Sequence, residues 1–182
     1  MRADMPTVNF VGEIASSVVD VEEISVTWAI VPGNSAWYLK RGASSGETHT
    51  CQSSSTVGTS TISHPIDCQF ASSSSEGWPI FVCEVWERSE QGFRGFRGCG
   101  SVWLPMAPGQ HFVDVPLWKP ISSGLEGLSE ELIPTIPDLT ALRELTMSPF
   151  LRSQINTATV GTLQLNLSTI LSGFKAFGVS TC

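Results

Sequence analysis

Three features of the sequence predict an all-β chain: an antiparallel β-sandwich of about eight or nine strands, with a short helical insertion before the last strand. Apolar and polar residues alternate with period two in several runs. The clearest is Ile24, Val26, Trp28 and Ile30 interleaved with Ser25, Thr27 and Ala29, which places four large side chains on one face of a strand. Turn-forming clusters such as Pro32-Gly33-Asn34-Ser35 and Pro105-Met106-Ala107-Pro108-Gly109 punctuate these runs, proline fixing one φ and glycine or asparagine accepting a positive one. Helical spacing is confined to one stretch, and no period of propeller or solenoid length recurs.

Taken in order, Thr7 to Ile14 opens the sheet, with Val8, Phe10 and Gly12 on one face and Val11 on the other. Ile24 to Ile30 follows, and the Pro32 to Ser35 turn predicts a hairpin that returns through Ala36-Trp37-Tyr38-Leu39. From Gly42 to Ser60 the chain is rich in Ser, Thr and Gly, and one polar strand at Glu47 to Gln52 suits an exposed edge. Ser63 to Leu104 reads as three consecutive strands forming the centre of the sandwich. In the first, Ile66, Cys68 and Phe70 share a face while Asp67 and Gln69 point away. Ser72 to Ser75 is a short turn before Gly77. The second, Pro79 to Trp86, is apolar on both parities except at Glu84, the pattern of a central strand covered on each side. The third is Gly100 to Leu104. Gln110 to Val115 predicts a hairpin partner for it, closing at Pro116-Leu117-Trp118-Lys119-Pro120.

Beyond that close, Ser129 to Leu132 and Asp138 to Leu145 have helical spacing, with Leu139, Leu142 and Leu145 on one face, Asp138 as an N-cap, and Pro134 and Pro137 keeping the two pieces short. Leu163, Leu165 and Leu167 then alternate with Gln164, Asn166 and Ser168 in a last strand. The expected organisation is one domain over 1–182, with 1–6 as an N-terminal extension, 122–147 as the helical insertion and 171–182 as a C-terminal tail.

A chain of 182 residues with six Trp and nine Phe can bury a core of ordinary size. Charged residues make up 15% of it and the formal net charge is −7, which argues against a nucleic-acid binder held by phosphate neutralisation. No run approaches the roughly 20 apolar residues of a membrane span, and the start lacks an apolar segment of signal-peptide length. A cytosolic protein is expected. Cys51, Cys68, Cys83, Cys99 and Cys182 form no CxxC pair and are odd in number, so reduced thiols are the simpler reading.

A search for chemistry finds little. His49, His64 and His111 lie in no metal-ligand spacing. Ser63, His64 and Asp67 have the residue types of a hydrolase triad, but strand parity puts His64 with Ile66 and Asp67 on the opposite face. GxSxG, GxxxxGK[ST] and GxGxxG are absent, so the sequence argues against an enzyme and implies no cofactor. Five scattered Asp, with only Asp20, Glu22 and Glu23 or Glu87 and Glu90 as loop carboxylate groups, fall short of the six to eight oxygens that calcium takes. One loop stands out. Arg88, Arg94 and Arg97 lie beside Phe93 and Phe96, a set able to grip an acidic partner or lipid headgroups. The plainer reading folds the phenylalanines inward and leaves the arginines to solvate the turn.

Ser63-His64-Pro65-Ile66-Asp67, Gly77-Trp78-Pro79, Gly98-Cys99-Gly100, Pro108-Gly109 and Leu117-Trp118-Lys119-Pro120, in that order, together resemble the B9-domain family of ciliary proteins. The resemblance runs from about Thr7 to Trp118 and resumes near Gly161, ending in Phe177-Gly178-Val179-Ser180-Thr181-Cys182; the insertion and the Ser/Thr-rich segment before Ile62 have no motif match. It implies a C2-like sandwich, no catalysis, no cofactor, and a place at the cilium basal body and transition zone. There the family forms the Meckel-syndrome complex, which supports ciliogenesis and gates ciliary membrane proteins. It also implies heteromers with B9 domain-containing protein 1 and the Meckel-syndrome type 1 protein. The motif residues His64, Pro65, Ile66, Asp67, Gly77, Trp78, Pro79, Gly98, Gly100, Pro108, Gly109, Trp118 and Pro120 also have structural readings as turn formers and core anchors. The expectation is therefore a scaffold or adaptor acting through protein contacts. The alternative is a calcium-independent peripheral membrane module that binds anionic lipid.

Overall fold

The computed structural model describes residues 5–54, 58–74, 76–89, 91–121, 144 and 148–174. Ten strands and a one-turn helix occupy them: β1 Thr7–Val19, β2 Glu23–Val31, β3 Trp37–Gly42, β4 Ser45–Glu47, β5 Cys51–Gln52, β6 Thr59–Ser72, β7 Ile80–Arg88, β8 Arg94–Trp103, β9 Gly109–Pro120, α1 Pro149–Arg152 and β10 Thr157–Ser172. The expected helical insertion, 122–147, lies outside the described residues except for Glu144, a helical residue whose carbonyl accepts from the Ser148 amide at 2.9 Å. Most of the expected tail lies outside them too, although β10 carries Leu171 and Ser172 within the sheet.

All the pairings are antiparallel, and the strand order is β3-β6-β1-β10-β9-β8-β7-β2-β4, with β5 also on β2. The path folds over between β9 and β8, which meet only at Cys99↔Trp118 and Gly100↔Leu117. One layer is β3-β6-β1-β10-β9 and the other β8-β7-β2 with its short edge pieces. Their inward faces share one core, in which Val8, Phe10 and Ile14 of β1, Ile66, Cys68 and Phe70 of β6, and Leu163, Leu165 and Leu167 of β10 meet Ile24, Val26 and Trp28 of β2 and Phe81 and Val85 of β7. Each large side chain fully withdrawn from water contributes about 1.5–3 kcal/mol, which is what makes the period-two pattern specify the register. The Trp28 ring reaches across the core to within 5.9 Å of the His64 ring and stacks on Phe81 at 6.3 Å.

The architecture agrees with the expected sandwich, but three neighbour relations differ from those the sequence suggests. Pro32 to Ser35 does not close a hairpin. Both flanks of β2 are occupied, by β7 on one side and β4 and β5 on the other. The chain therefore crosses to the opposite layer, where β3 pairs with β6, and the crossing is held where the Gly33 amide donates to the Gly77 carbonyl at 3.0 Å. The Ser63 to Leu104 stretch is likewise divided: β7 and β8 form a hairpin, whereas β6 lies in the other layer between β1 and β3. Finally, Gln110 to Val115 pairs with Leu163 to Ser168 of β10 and not with β8. The polar strand expected at Glu47 to Gln52 is two fragments. Between them Thr48 turns inward, its hydroxyl accepting from the Val26 amide at 3.0 Å while its own amide donates to the Val26 carbonyl at 2.9 Å.

Strand β7 is central, as expected. Every side chain from Ile80 to Trp86 is buried, Glu84 included at 6% exposure. Helix α1 lies outside the expected elements, although its signal is plain: Ser148 caps it by accepting from the Leu151 amide at 3.4 Å, and Pro149 occupies its first position.

Candidate functional site

The residues expected to bind lie at the far end of the β7–β8 hairpin. Arg88 and Arg94 are its last paired residues, and Ser89, Gly92 and Phe93 close the turn, the Ser89 amide donating to the Phe93 carbonyl at 2.9 Å and the Gly92 amide to the Ser89 carbonyl at 2.8 Å. Gly92 takes φ +85° there, a conformation that favours glycine. Phe93 stands outward, 73% exposed. Phe96 turns back instead, its ring 5.5 Å from that of Trp86.

Two of the three arginines are held by the protein itself. Arg94 lies over the Trp86 ring, with its guanidinium carbon 4.3 Å from the ring centre, donates to the Thr27 hydroxyl at 2.9 Å and pairs with Glu47 at 3.0 Å. One side chain thus straps β8, β7, β2 and β4 together across their outer face. Arg97 is the extra residue of a β-bulge opposite Val85 and Trp86, and it forms an ion pair with Glu87. Ion pairs this exposed contribute only about 0–1 kcal/mol each, but each carboxylate offsets one positive charge at the turn. The arrangement is mixed: Phe96 and Arg94 pack, while Phe93 and Arg88 face solvent.

The remaining candidate chemistry is separated by the fold. His64 is half-buried beside Trp28 and Asp67 is exposed on the opposite face of β6. Withdrawal from water, and secondarily the charge of His49, lowers the His64 pKa below its ordinary 6.5. Burial pushes the Cys68 thiol up to about 12, with Asp67 adding to the effect, and Cys83 is raised as well, again chiefly by burial. These thiols stay protonated and serve as small core residues, with little thiolate available as a nucleophile. Among the described residues no three His, Cys, Asp or Glu side chains gather where they could hold a metal ion, and no helix is long and apolar enough to cross a membrane.

Close contacts explain the motif glycines Gly77, Gly98 and Gly100 and the motif tryptophans, whereas Gly109 has nothing near its Cβ position and instead takes φ +127°. A Cβ on Gly100 would lie 2.6 Å from the Pro116 carbonyl oxygen, and one on Gly98 3.0 Å from that of Trp118; these two glycines let β8 approach β9 at the fold of the sheet. Trp118 and Cys99 are buried there with Phe96 and Ile155 against them. Trp78 sits at the opposite end of the sandwich, between Phe10 and Trp37.

Several exposed apolar side chains fall outside the expected binding loop, among them Trp103 at 65%, Met106 at 57%, Phe112 at 81% and Phe150 at 71% exposure. The exposure of Phe112 is readable from sequence, since it occupies the polar parity of a strand whose Val113, Val115 and Leu117 point inward.

A family model described as the ciliary basal body-associated B9 protein, B9-C2, matches residues 8–170. The chain belongs to the B9 family. Rattus norvegicus B9 domain-containing protein 2 is 31% identical over 176 residues, covering 96% of this B9 chain and 99% of its own length. The Danio rerio protein of that name is 31% identical over 154 residues, 85% of this chain and 86% of its own. Mus musculus B9 domain-containing protein 1 is 37% identical over a shorter stretch of 59 residues, 32% of this chain and 29% of its own. Among solved structures, a C2 domain of plant Extended Synaptotagmin 1 superposes over 93% of this chain and 96% of that one, with a TM-score of 0.43 and 9% identity, a likeness too slight to bear on function. The tryptophans Trp78 and Trp118 and the glycines Gly77, Gly98 and Gly100 of this B9 chain are packed within its own fold.

Proposed function

We propose that this B9 protein is a non-enzymatic adaptor of the Meckel-syndrome complex at the ciliary transition zone, acting through contacts with B9 domain-containing protein 1 and the Meckel-syndrome type 1 protein. Family membership over residues 8–170 carries the reading. It is supported by the dispersal of His64, Asp67 and the buried thiols, which leaves no gathered active site among the described residues. The hairpin turn contributes Phe93 and Arg88 to the partner contacts. A membrane role for that turn is disfavoured by the pairing of Arg94 with Glu47 and of Arg97 with Glu87 and by the overall charge of −7, which repels anionic headgroups.

Co-expression with the two named proteins followed by size-exclusion chromatography tests the reading. A shared, earlier-eluting peak is expected. Separate elution of all three at micromolar concentration overturns it.

A further inference from the structure

β9 has an open flank. Its full length pairs with β10 on one side, but on the other it meets β8 only at Leu117 and Trp118. From Gly109 to Asp114 no second strand pairs with it among the described residues, while Val115 and Pro116 lie against Gly100 of β8. Of the other edges among the described residues, β6 has no second strand partner from Ser60 to Ile66 but is interrupted there by Pro65, and β3 is guarded: Lys40 is the extra residue of a bulge and Arg41 follows it, features that discourage strand addition. The open length of β9 reads Gly-Gln-His-Phe-Val-Asp. It has no lysine, arginine or proline, and Phe112 stands out from the middle of it.

This flank is built in advance. The loop that leads into it is pinned at three places: Leu104 accepts from the Trp78 indole at 2.9 Å, Pro105 accepts from the Thr169 hydroxyl at 3.1 Å, and the Ala107 carbonyl lies 2.9 Å from His111 Nε2. A strand that needs no ordering loses less entropy when a partner adds to it. On the inward side, Val102 and Val113 are only partly buried against the core.

We propose that the open flank of β9, from Gly109 to Asp114, is a strand-addition site for an extended segment of a different protein, with an apolar residue beside Phe112 and a Lys or Arg beside Asp114. Backbone hydrogen bonds along the flank supply affinity and the alternate side chains supply selectivity. Charge decides against a second copy of this chain. Asp114 is exposed on the flank, and two copies would each bring a net −7 to a contact with no basic side chain of its own between Gly109 and Pro116. The proposal rests on the adaptor reading and gives it a surface.

The test uses the full chain with B9 domain-containing protein 1 and the Meckel-syndrome type 1 protein as probes. Amide hydrogen exchange over 110–114 is expected to slow at least tenfold on complex formation. Phe112→Ser and Asp114→Lys should each weaken binding about tenfold while leaving the melting temperature of the isolated chain unchanged, and Lys40→Ala with Arg41→Ala should leave binding as it was. A complex that forms without protecting 110–114 and tolerates both flank substitutions overturns this inference and leaves the adaptor reading standing. Self-association of the chain alone that Phe112→Ser abolishes overturns it in favour of a second copy. Failure of the native chain to bind either probe overturns both readings.

Discussion

The Trp78 indole ties the loops at one end of the sandwich to the core. Its N–H donates to the Leu104 carbonyl at 2.9 Å, and its ring meets the edges of Phe10 at 6.1 Å and Trp37 at 5.2 Å. The Trp37 N–H in turn donates to the Glu76 carbonyl at 2.7 Å. Gly77 makes the approach possible, at φ +73° with the Asn34 side chain 2.5 Å from where its Cβ would be. Replacing Trp78 with Phe keeps most of the ring but strands a carbonyl in apolar surroundings, a loss of about 1–3 kcal/mol. Guanidinium denaturation should show a lower midpoint with an unchanged slope; an unshifted midpoint would show that the Leu104 bond contributes nothing. At this scale the sequence reveals roles better than partners. Gly77-Trp78-Pro79 is recognisable as a turn former with a core anchor, and the parity of β6 correctly separates His64 from Asp67. That Trp78 reaches Leu104, or that Arg94 reaches Glu47 across two strands, is a tertiary fact that no local spacing encodes.

Among the elements, alternation identifies β2, the second half of β6 and β10 because each has a buried face that only one register satisfies, and an apolar run on both parities identifies β7, which is buried on both faces. Neither pattern says which strand lies alongside. Short Pro/Gly turns suggest hairpins at Pro32 to Ser35 and Pro105 to Gly109, and both are crossings between layers instead, because β2 and β9 pair elsewhere. The sheet folds at Gly100, where side-chain absence is read as an ordinary strand glycine until the neighbouring Pro116 carbonyl is seen. Gly100→Ala places a methyl carbon 2.6 Å from that oxygen and near Val115 and Leu117, so backbone must move to admit it. Its expected cost is about 1–3 kcal/mol, the range for overpacking, and it should fall on the β8–β9 seam. Thermal unfolding measures the total, and hydrogen exchange at Cys99 and Leu117 locates it: faster exchange there than in β2 is expected, whereas uniform acceleration across the sheet would place the strain elsewhere.

For the molecule as a whole, the first and last strands of the described residues, β1 and β10, close the fold. β1 lies between β6 and β10, paired along its length from Thr7↔Ser172 to Val19↔Gly161 on one flank and from Thr7↔Ala71 to Val18↔Thr59 on the other. Few chain-local contacts can hold that layer, so its strands cannot open separately without exposing Phe10, Ile14, Leu163, Leu165 and Leu167 to water. β4 and β5 are the opposite case, short pieces on the edge of β2 joined to it through Ser45 to Glu47, Cys51 to Gln52 and the two Thr48–Val26 bonds. Unequal stability follows, since segments with little buried surface open at low free energy while core strands open only with the whole domain. Native-state hydrogen exchange in rising urea should therefore find the amides of β1 and β10 exchanging through global unfolding, at an opening free energy equal to the total of about 5–15 kcal/mol. Amides of β4 and β5 should exchange several kcal/mol more easily and with little dependence on urea, because their opening exposes little surface. Exchange from β1 as fast and as urea-insensitive as that from β4 would mean that the closing layer separates on its own, and that the pairing of β1 with β10 does not unify the fold.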